Sequence, residues 1–415
     1  MSRLRRKIRS LLGRVDEALA DPRLLYVIST LVDVRYARKK SIADLNVLLA
    51  PPGGGNIGDQ ALVEAFVRNV SGRTLVISRS SSDFPWINRR GGGTVEQVAL
   101  PGLVYGSLLS YTRSYVEYSR ILQRARSVSV VGADIMDGAY NARASINRAN
   151  LARRAAINKV DARVLGFSWS SAPHPRAIDA MRAASRSGVD LMVRDPLSFG
   201  RIVKDGVPAR LAADLVFLST DQIEPSEEHV SRDGGSPLVV LNASGLIARS
   251  YNHMEAYVAL IDELTELGYQ VVILPHVIRD QGDTDVDACR QVFAGVANTD
   301  RVRLVESILW PAEVRWLTAR AEFVVTGRMH LAVQALLNGT PAVVLATQGK
   351  VEGLLQMFGQ EDYALDPSLD LTERLPEAVR GLRRSLDVQR DCISSNVERV
   401  TSLAELNLER LVSAG

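Results

Sequence analysis

Short runs rich in leucine and β-branched residues, separated by helical patterns, constrain the fold of this chain more than any other feature of its sequence. Runs that are apolar throughout, instead of alternating, are typical of a parallel sheet covered on both faces by helices. They lie at residues 45–50, 74–78, 127–131, 163–168, 190–193 and 215–218, and again at 237–242, 270–274, 302–305, 322–326 and 342–346. Helical patterns lie between them at 59–70, 145–160, 176–187, 250–267, 311–320 and 329–337. This double alternation predicts an α/β protein of two Rossmann-like, doubly wound domains that face a central cleft.

The length of the chain and one polar stretch predict where the two domains divide. With 415 residues, the chain suits two domains of roughly 100 to 200 residues each. Residues 220–236 are rich in Asp, Glu and Gly and poor in apolar residues, which is typical of a linker. The predicted parts are a basic N-terminal segment at 1–40, an N-terminal domain at 41–222, a C-terminal domain at 235–380, and a helix at 381–415 that returns to brace the N-terminal domain.

Composition excludes several classes of protein. With 46% hydrophobic and 23% charged residues, the chain resembles ordinary globular proteins and not disordered or fibrous ones. Its two cysteines, Cys289 and Cys392, are too few for a disulfide framework or a four-thiolate zinc site. We therefore expect a metal-free fold in a reducing compartment, which predicts a cytoplasmic protein.

Positive charge is concentrated at the N-terminus. Residues 1–40 contain eleven Lys and Arg against four Asp and Glu, a net charge of +7 in a chain whose total is +3. A basic segment on a mildly acidic body argues against a nucleic-acid-binding body. Apolar residues at near-helical spacing from Leu4 to Leu19 predict peripheral contact with anionic lipids at the inner membrane face. The alternative is a helix packed on the body or a frayed tail.

One stretch without charge is long enough to cross a bilayer. Residues 329–349 contain no Asp, Glu, Lys or Arg. The sequence Asn-Gly-Thr-Pro at 338–341 divides the stretch, so it predicts a helix, a tight turn and a buried strand, not a membrane span.

The first candidate site is the turn at 51–59, because ligands of open α/β sheets bind at the carboxyl ends of the strands. It contains Asn56, Gly58 and Asp59, and its glycines match G-x-G-x-x-G. This match indicates a dinucleotide site, although no acidic residue follows the second strand to bind a ribose. The same residues also suit a loop that approaches a different anionic or sugar ligand, or a tight turn without a ligand. Asp59 is placed as a helix N-cap.

Two further turns carry charged residues at strand ends. Gly132 and Asp134 follow the third strand, and Asp137 lies close behind. Their carboxylates suit binding of hydroxyl groups or acid/base chemistry, with Asx turns as the alternative. Arg194 follows a later strand and directs a guanidinium towards the same edge of the sheet, whereas Asp195 predicts an N-cap.

The fourth turn places an arginine and a histidine at the start of a helix. Arg328 and His330 follow the strand at 322–326, and Lys350 follows the last strand. A guanidinium and an imidazole beside a helix N-terminus indicate an oxyanion site.

Two weaker signals lie outside these turns. His276 and three acids have the residue types of a hard-metal site, although a polar loop explains them equally well. The acids are Asp280, Asp283 and Asp285. Trp169 suits either stacking on a sugar ring or core packing.

Taken together, these motifs resemble the polysaccharide pyruvyl transferase family over about residues 45–360. They are Asn56-Ile57-Gly58-Asp59, Gly132-Ala133-Asp134, Arg194-Asp195 and Gly327-Arg328-Met329-His330, followed by Pro341 and Lys350. The resemblance implies a fold similar to two-domain, GT-B-like glycosyltransferases. It also implies transfer of pyruvate from phosphoenolpyruvate to two hydroxyls of a saccharide or lipid-linked glycan, with a cyclic ketal as product and no metal or redox cofactor.

The resemblance also implies roles for individual residues. Arg194, Arg328 and His330 match positions that the family uses for phosphoenolpyruvate and are the predicted catalytic residues, with Lys350 as a further cation for this donor. A pocket for this anion should contain few competing carboxylates. The predicted acceptor or loop residues are Asn56, Gly58, Asp59, Gly132 and Asp134. Gly132-Ala133-Asp134 replaces a run of three glycines found in many members. The rival functions are a glycosyltransferase that uses a sugar nucleotide and a non-catalytic, membrane-docked glycan-assembly protein.

Overall fold

Two parallel β-sheets, each with helices packed along it, form the framework of the protein. The computed structural model describes residues 21–36, 44–87, 94–226, 235–251, 253–278, 284–346 and 349–412. Within these residues, neighbouring strands of both sheets run parallel, which confirms the predicted α/β fold with two Rossmann-like units. None of the described helices is both long and apolar enough to cross a bilayer.

The N-terminal sheet has seven strands. They are β1 (Leu45–Leu49), β2 (Arg73–Ser78), β3 (Val95–Ala99), β4 (Ala125–Ala133), β5 (Asp161–Phe167), β6 (Asp190–Val193) and β7 (Arg210–Leu211). Their order in the sheet is β3-β2-β1-β4-β5-β6-β7, so the direction of winding reverses between β1 and β4. The helices of this half are α1 (Pro22–Tyr36), α2 (Ile57–Asn69), α3 (Gly102–Tyr105), α4 (Leu108–Leu122), α5 (Ala142–Ile157), α6 (Pro175–Arg186) and α7 (Pro196–Lys204).

The C-terminal sheet repeats the same plan with six strands. They are β8 (Leu238–Asn242), β9 (Gln270–Ile273), β10 (Val302–Leu304), β11 (Ala321–Thr326), β12 (Ala342–Leu345) and β13 (Ala364–Leu365). Their order is β10-β9-β8-β11-β12-β13, which reverses between β8 and β11. The helices are α8 (Gly245–Ala248), α9 (Met254–Glu266), α10 (Asp285–Gly295), α11 (Pro311–Arg320), α12 (Met329–Leu337), α13 (Lys350–Gln356), α14 (Leu371–Arg384) and α15 (Leu386–Glu405). The uncharged stretch forms α12, a turn and β12, as predicted.

One predicted strand is wrong. Residues Leu215–Leu218 form a single 3₁₀ turn, in which the side chain of Asp214 accepts a hydrogen bond of 3.0 Å from the amide of Val216. An apolar run of four residues does not distinguish a strand from a buried helical turn, and here the capping carboxylate decides in favour of the turn. The partly exposed edge strand β3 was not predicted, because its charged and amide side chains interrupt the apolar pattern.

The C-terminal segment packs against the N-terminal sheet. The helix predicted over 381–415 begins at Leu386, directly after α14, and ends at Glu405. Asn407 follows it and is fully buried. Its side chain donates to the carbonyl of Ala213 (2.9 Å) and accepts from the amide of Gly166 (2.8 Å).

Close contacts fix the two halves relative to each other. One hydrophobic cluster contains residues from both halves of the chain, including Phe66 of α2 and Leu331 of α12. Arg315 of α11 is fully buried and pairs with Glu64 of α2 (3.1 Å) and with Asp221 (2.6 Å). Because a buried guanidinium without a partner is costly, these pairs favour one arrangement of the halves.

Candidate active site

The carboxyl ends of the two sheets face each other across a cavity of about 100 Å³. Winding reverses at this edge in both sheets, which is where open α/β proteins bind ligands. Seven of the predicted site residues line the cavity: Asn56, Asp59, Asp134, Arg194, Arg328, His330 and Lys350. Larger cavities exist in the described part of the chain, but this is the one on which the predicted cations converge.

Arg194 lies behind β6 in an almost completely buried position. Its Nε donates to Ser168 Oγ (2.9 Å), and its Nη1 donates to Asp214 Oδ2 (2.8 Å). Nε2 of His330, which belongs to the other half of the chain, lies 3.4 Å from the same carboxylate oxygen. Asp214 therefore connects a cation of the N-terminal half to an imidazole of the C-terminal half.

The charge state of Asp214 follows from these neighbours. Burial alone would raise the pKa of this carboxyl, but His330 and Arg194 outweigh burial and hold the pKa below its usual range. Asp214 is thus an anion that binds Arg194 and lies beside the His330 ring. Sequence reasoning missed it, although an Asp directly before an apolar turn is an N-cap signal.

Arg328 forms a two-pronged ion pair with Asp285 at the start of α10. Its Nε lies 3.1 Å from Oδ2 and its Nη2 lies 2.6 Å from Oδ1. The Asp285 side chain is fully buried and also accepts from the amides of Gly245, His276 and Val277. Burial raises the pKa of Asp285, but the charge and hydrogen bonds of Arg328 outweigh it, so the pKa is lowered. The carboxylate therefore holds the guanidinium in one orientation.

Asp285 does not act as the suggested metal ligand. Its oxygens are occupied by Arg328 and by backbone amides. Asp280 and Asp283 lie outside the described residues, and the described part of the chain holds no cluster of three metal-ligating side chains.

Lys350 and Asp134 close one side of the cavity. Lys350 Nζ lies 2.6 Å from Asp134 Oδ2 and 5.8 Å from the centre of the Tyr140 ring. Burial would raise the pKa of Asp134, but the charges of Lys350 and Arg194 lower it. Asp134 follows Ala133, whose φ of 45° lies in the left-handed region that favours glycine. Ala133 occupies the middle position of the run that is glycine in many members of the family that the sequence resembles.

Each permanent cation of the site is paired with a carboxylate, so the expectation of few competing carboxylates is wrong. Buried guanidinium groups need counter-ions, which explains the pairing. An arginine side chain has five N–H donors, and neither Arg194 nor Arg328 uses all five. Among the described residues, Nη1 of Arg328 and Nη2 of Arg194 have no hydrogen-bond partner. These donors remain for an anionic ligand.

His276 is a site residue that sequence reasoning considered only as a metal ligand. It lines the cavity with 2% of its surface exposed, and neither ring nitrogen has a hydrogen-bond partner among the described residues. Burial lowers its pKa to about 3, and the nearby charges of His330 and Arg328 act in the same direction. The imidazole is therefore neutral at pH 7 and offers one donor and one acceptor to a ligand.

His276→Asn should flatten the pH dependence of stability on the acid side. The pKa of His276 is about 3 in the folded protein against an ordinary value of 6.5, so only the unfolded chain binds this proton between those values. Stability is therefore lost as the pH falls below 6.5. Between pH 7 and pH 5, the free energy of unfolding should fall by about 2 kcal/mol more in wild type than in the variant. Urea titrations at both pH values measure the difference; equal losses would contradict a buried neutral imidazole.

The glycine-rich turn serves packing and capping. Asn56, not Asp59, is the N-cap of α2, because its Oδ1 accepts from the amides of Gly58 (2.9 Å) and Asp59 (3.4 Å). The amide of Ile57 donates to the carbonyl of His276 (3.1 Å). These are the amides that a pyrophosphate would need, so the dinucleotide interpretation loses its support.

The absence of a side chain at Gly58 allows the His330 ring to pack against the backbone of α2. A methyl group on Gly58 would lie 2.4 Å from His330 Nδ1, far inside contact distance. Gly132 does not line the cavity; it lies in β4 and packs on Phe167 of β5. Trp169 is fully buried, and its Nε1 donates to Asp205 (2.7 Å), so core packing is confirmed for it.

Fold and site together define a two-domain, GT-B-like α/β protein in which cations from both domains meet at a small cavity in the cleft. The chain belongs to the polysaccharide pyruvyl transferase family, whose model matches residues 56–349. The match begins at Asn56, within the first of the four turns identified from the sequence, covers the other three, and ends at Gly349, directly before Lys350.

Comparison with solved structures supports the fold alone. The protein is similar to a putative UDP-N-acetylglucosamine 2-epimerase from Listeria monocytogenes (TM-score 0.58, 12% identity, 88% of this chain and 94% of that chain covered). It is also similar to the UDP-GlcNAc 2-epimerase from Neisseria meningitidis (TM-score 0.57, 12% identity, 88% of this chain and 98% of that chain covered). A glycosyltransferase from Rickettsia africae is similar as well (TM-score 0.53, 8% identity, 89% of this chain and 98% of that chain covered). No curated relative matches the sequence significantly.

Proposed function

We propose that the protein transfers pyruvate from phosphoenolpyruvate to a pair of hydroxyl groups on a saccharide or lipid-linked glycan, forming a ketal and releasing phosphate. Membership of the family supports a transferase that acts on polysaccharide. The observation that carries the donor assignment is the pair of guanidinium groups, Arg194 and Arg328, each held by a carboxylate and both lining one cavity of about 100 Å³. Phosphoenolpyruvate is a three-carbon molecule with a phosphate and a carboxylate, so it suits such a pocket.

The reaction assigns work to the residues of this cavity. The first sugar hydroxyl adds to C2 of phosphoenolpyruvate while C3 gains a proton, and the second hydroxyl then displaces phosphate from C2. Arg194, Arg328 and Lys350 hold the two anionic groups and stabilise the departing phosphate. His330, whose Nε2 lies 3.4 Å from Asp214, binds phosphate and acts as the general acid. Asp134 and Asp59 face the acceptor, together with the loop at Asn56. The steps require no metal or redox cofactor.

A glycosyltransferase with a sugar-nucleotide donor is the alternative that the fold permits. Sites for ligands of drug size usually measure about 300 to 1,000 Å³, so a cavity of about 100 Å³ suits a smaller donor. The proposed cellular location is the cytoplasm, with peripheral contact of residues 1–40 with the inner membrane face. Residues 1–20 and 37–40 of that segment lie outside the described part of the chain.

A thermal-shift panel with phosphoenolpyruvate, UDP, NAD and NADP tests the donor. Phosphoenolpyruvate alone should raise the melting temperature, because a ligand at 100 times its Kd adds about 2.7 kcal/mol to the free energy of unfolding. A shift with UDP alone would favour the glycosyltransferase, and no shift with any of the four would favour the non-catalytic assembly protein.

Gly58→Ala should reduce turnover without unfolding the protein. The added methyl group collides with the His330 ring, and a displacement of about 1 Å in a catalytic group costs roughly 100-fold in rate. Gly54→Ala is the matched control in the same loop, since its methyl group would lie 3.4 Å from Asp83 Oδ1, an ordinary contact. Phosphate release and melting temperature are measured for both. Equal rates in the two variants would show that the position of His330 does not matter.

A further inference from the structure

Helix α1 is held firmly against the N-terminal domain by one face. Asp33 is buried and accepts hydrogen bonds from Tyr115 Oη (3.0 Å) and Ser119 Oγ (3.1 Å). It also forms an ion pair with Arg154 of α5. The buried Leu25 packs in the core of this domain. An ion pair of this kind fixes the rotation of the helix about its axis, so the residues on its opposite face have a defined direction.

The opposite face of α1 is an exposed apolar stripe. It consists of Leu24, Val27, Leu31 and Val34, which are 37%, 53%, 67% and 75% exposed. At 100° per residue these four positions fall within one narrow sector of the helix. The exposure increases towards the C-terminal end of the helix. Apolar residues held at the surface in a row need an apolar environment that the described residues do not supply.

A basic groove lies beside this stripe. It has a volume of about 370 Å³ and runs between α1, α5 and α6. Arg23, Arg153 and Arg176 line it, with Asp179 as the acidic residue of the lining. The guanidinium of Arg153 lies 4.6 Å from the centre of the Tyr26 ring, and Arg176 pairs with Asp21 at 2.8 Å. The groove therefore offers arginine side chains to an anion at the edge of the apolar stripe.

We propose that this face, the apolar stripe of α1 together with the arginine groove, docks the protein on an anionic lipid bilayer. The stripe enters the boundary between headgroups and acyl chains, and the groove binds a lipid phosphate. Charge favours an anionic bilayer over a second copy of the chain: the groove is lined by three arginines and one aspartate, so two copies of this face would bring like charges together. The inference does not depend on the proposed reaction.

The docking face flanks the candidate active site. Helix α5 begins directly after Asn141, next to Tyr140, whose ring faces Lys350. Ile146 and Asn150 of the same helix line the groove, about 6 to 12 Å farther along its axis. A glycan attached to a membrane lipid would therefore have a short path from the bilayer to the cavity.

Vesicle flotation of the full chain tests the docking face. Vesicles of phosphatidylcholine with phosphatidylglycerol should bind wild type, and pure phosphatidylcholine should bind it weakly. Arg23→Gln with Arg176→Gln should lower the partition coefficient by roughly fivefold for each arginine. Leu31→Asp with Val34→Asp should lower it at least tenfold. The control is Val388→Asp with Arg384→Gln, which replaces an exposed valine and an exposed arginine on α15 and α14 and should bind as wild type does.

Three results would overturn the proposal. The first is wild-type flotation of the Leu31→Asp, Val34→Asp variant, which would assign membrane binding to other residues. The second is a wild-type dimer in light scattering that this variant converts to a monomer, since a second copy would then cover the stripe. The third is protection of the groove by inorganic phosphate without any flotation, which would reduce it to a phosphate site. Phosphoenolpyruvate thermal shifts should be unchanged in all these variants, so the docking face and the donor site can fail separately.

Discussion

Arg328→Ala should lower kcat/KM for pyruvyl transfer by about 10³-fold or more and abolish the thermal shift caused by phosphoenolpyruvate. The guanidinium is oriented by two contacts with Asp285 and keeps Nη1 for the ligand. A donor that stabilises a departing charge in a site shielded from water is worth roughly 10² to 10³ in rate, and this arginine would act on the phosphate directly. Phosphate release with a glycan acceptor and the shift with phosphoenolpyruvate alone are the two measurements.

Loss of activity in Arg328→Ala has two explanations, because the variant removes a ligand for the donor and also leaves Asp285 buried without its cation. Arg328→Lys removes the ambiguity: it keeps a positive charge beside Asp285 but lacks the planar fork. We expect it to fold normally and to remain severely impaired. Arg290→Ala, at a half-exposed position in the same domain, serves as a control and should be fully active. Wild-type transfer by a folded Arg328→Lys variant would refute the proposed role of the fork.

His330→Gln should slow turnover by roughly 10² to 10⁴ while weakening phosphoenolpyruvate binding much less. Glutamine can still donate a hydrogen bond to phosphate, but it cannot transfer a proton to C3 of the donor. The split between kcat and donor affinity therefore separates a general acid from a mere ligand. Single-turnover rates and the donor Kd from thermal shifts provide the two values.

Control variants make the result specific to this imidazole. His174→Gln replaces a histidine that caps α6 outside the cavity and should leave both values unchanged. Equal losses of rate and affinity in His330→Gln would assign His330 to binding alone and leave the role of proton donor to another group that lines the cavity.

The candidate site could be predicted in part because of how parallel sheets are built. Arg194, Arg328, His330 and Lys350 each follow a strand, and the carboxyl ends of parallel strands share one edge, so their convergence follows from the topology. Their partners could not be predicted in this way. Asp214 meets His330 only because the two domains pack as they do, and no pattern within one domain contains that information.

In the fold, too, elements with a clear local sequence pattern were predicted and elements without one were not. Strands buried on both faces were predicted because all but one residue of their sequence is apolar, as in β8 and β9. The partly exposed β3 has no such signal. The run Leu215–Leu218 is apolar enough for a strand, but the carboxylate before it bends the backbone into a turn.

The short backbone bridge between the halves bears on how a bulky glycan enters. Gly55 accepts a hydrogen bond of 2.7 Å from the amide of Ile278, and Asn56 pairs with Val277 as in an antiparallel sheet. A clamshell motion that widened the cleft would break this bridge and pull Arg315 away from Glu64. For the proposed reaction we therefore expect substrate to enter by a local movement at the surface, in which Lys350 leaves Asp134, and we expect a long polymer to react at an end or a protruding branch.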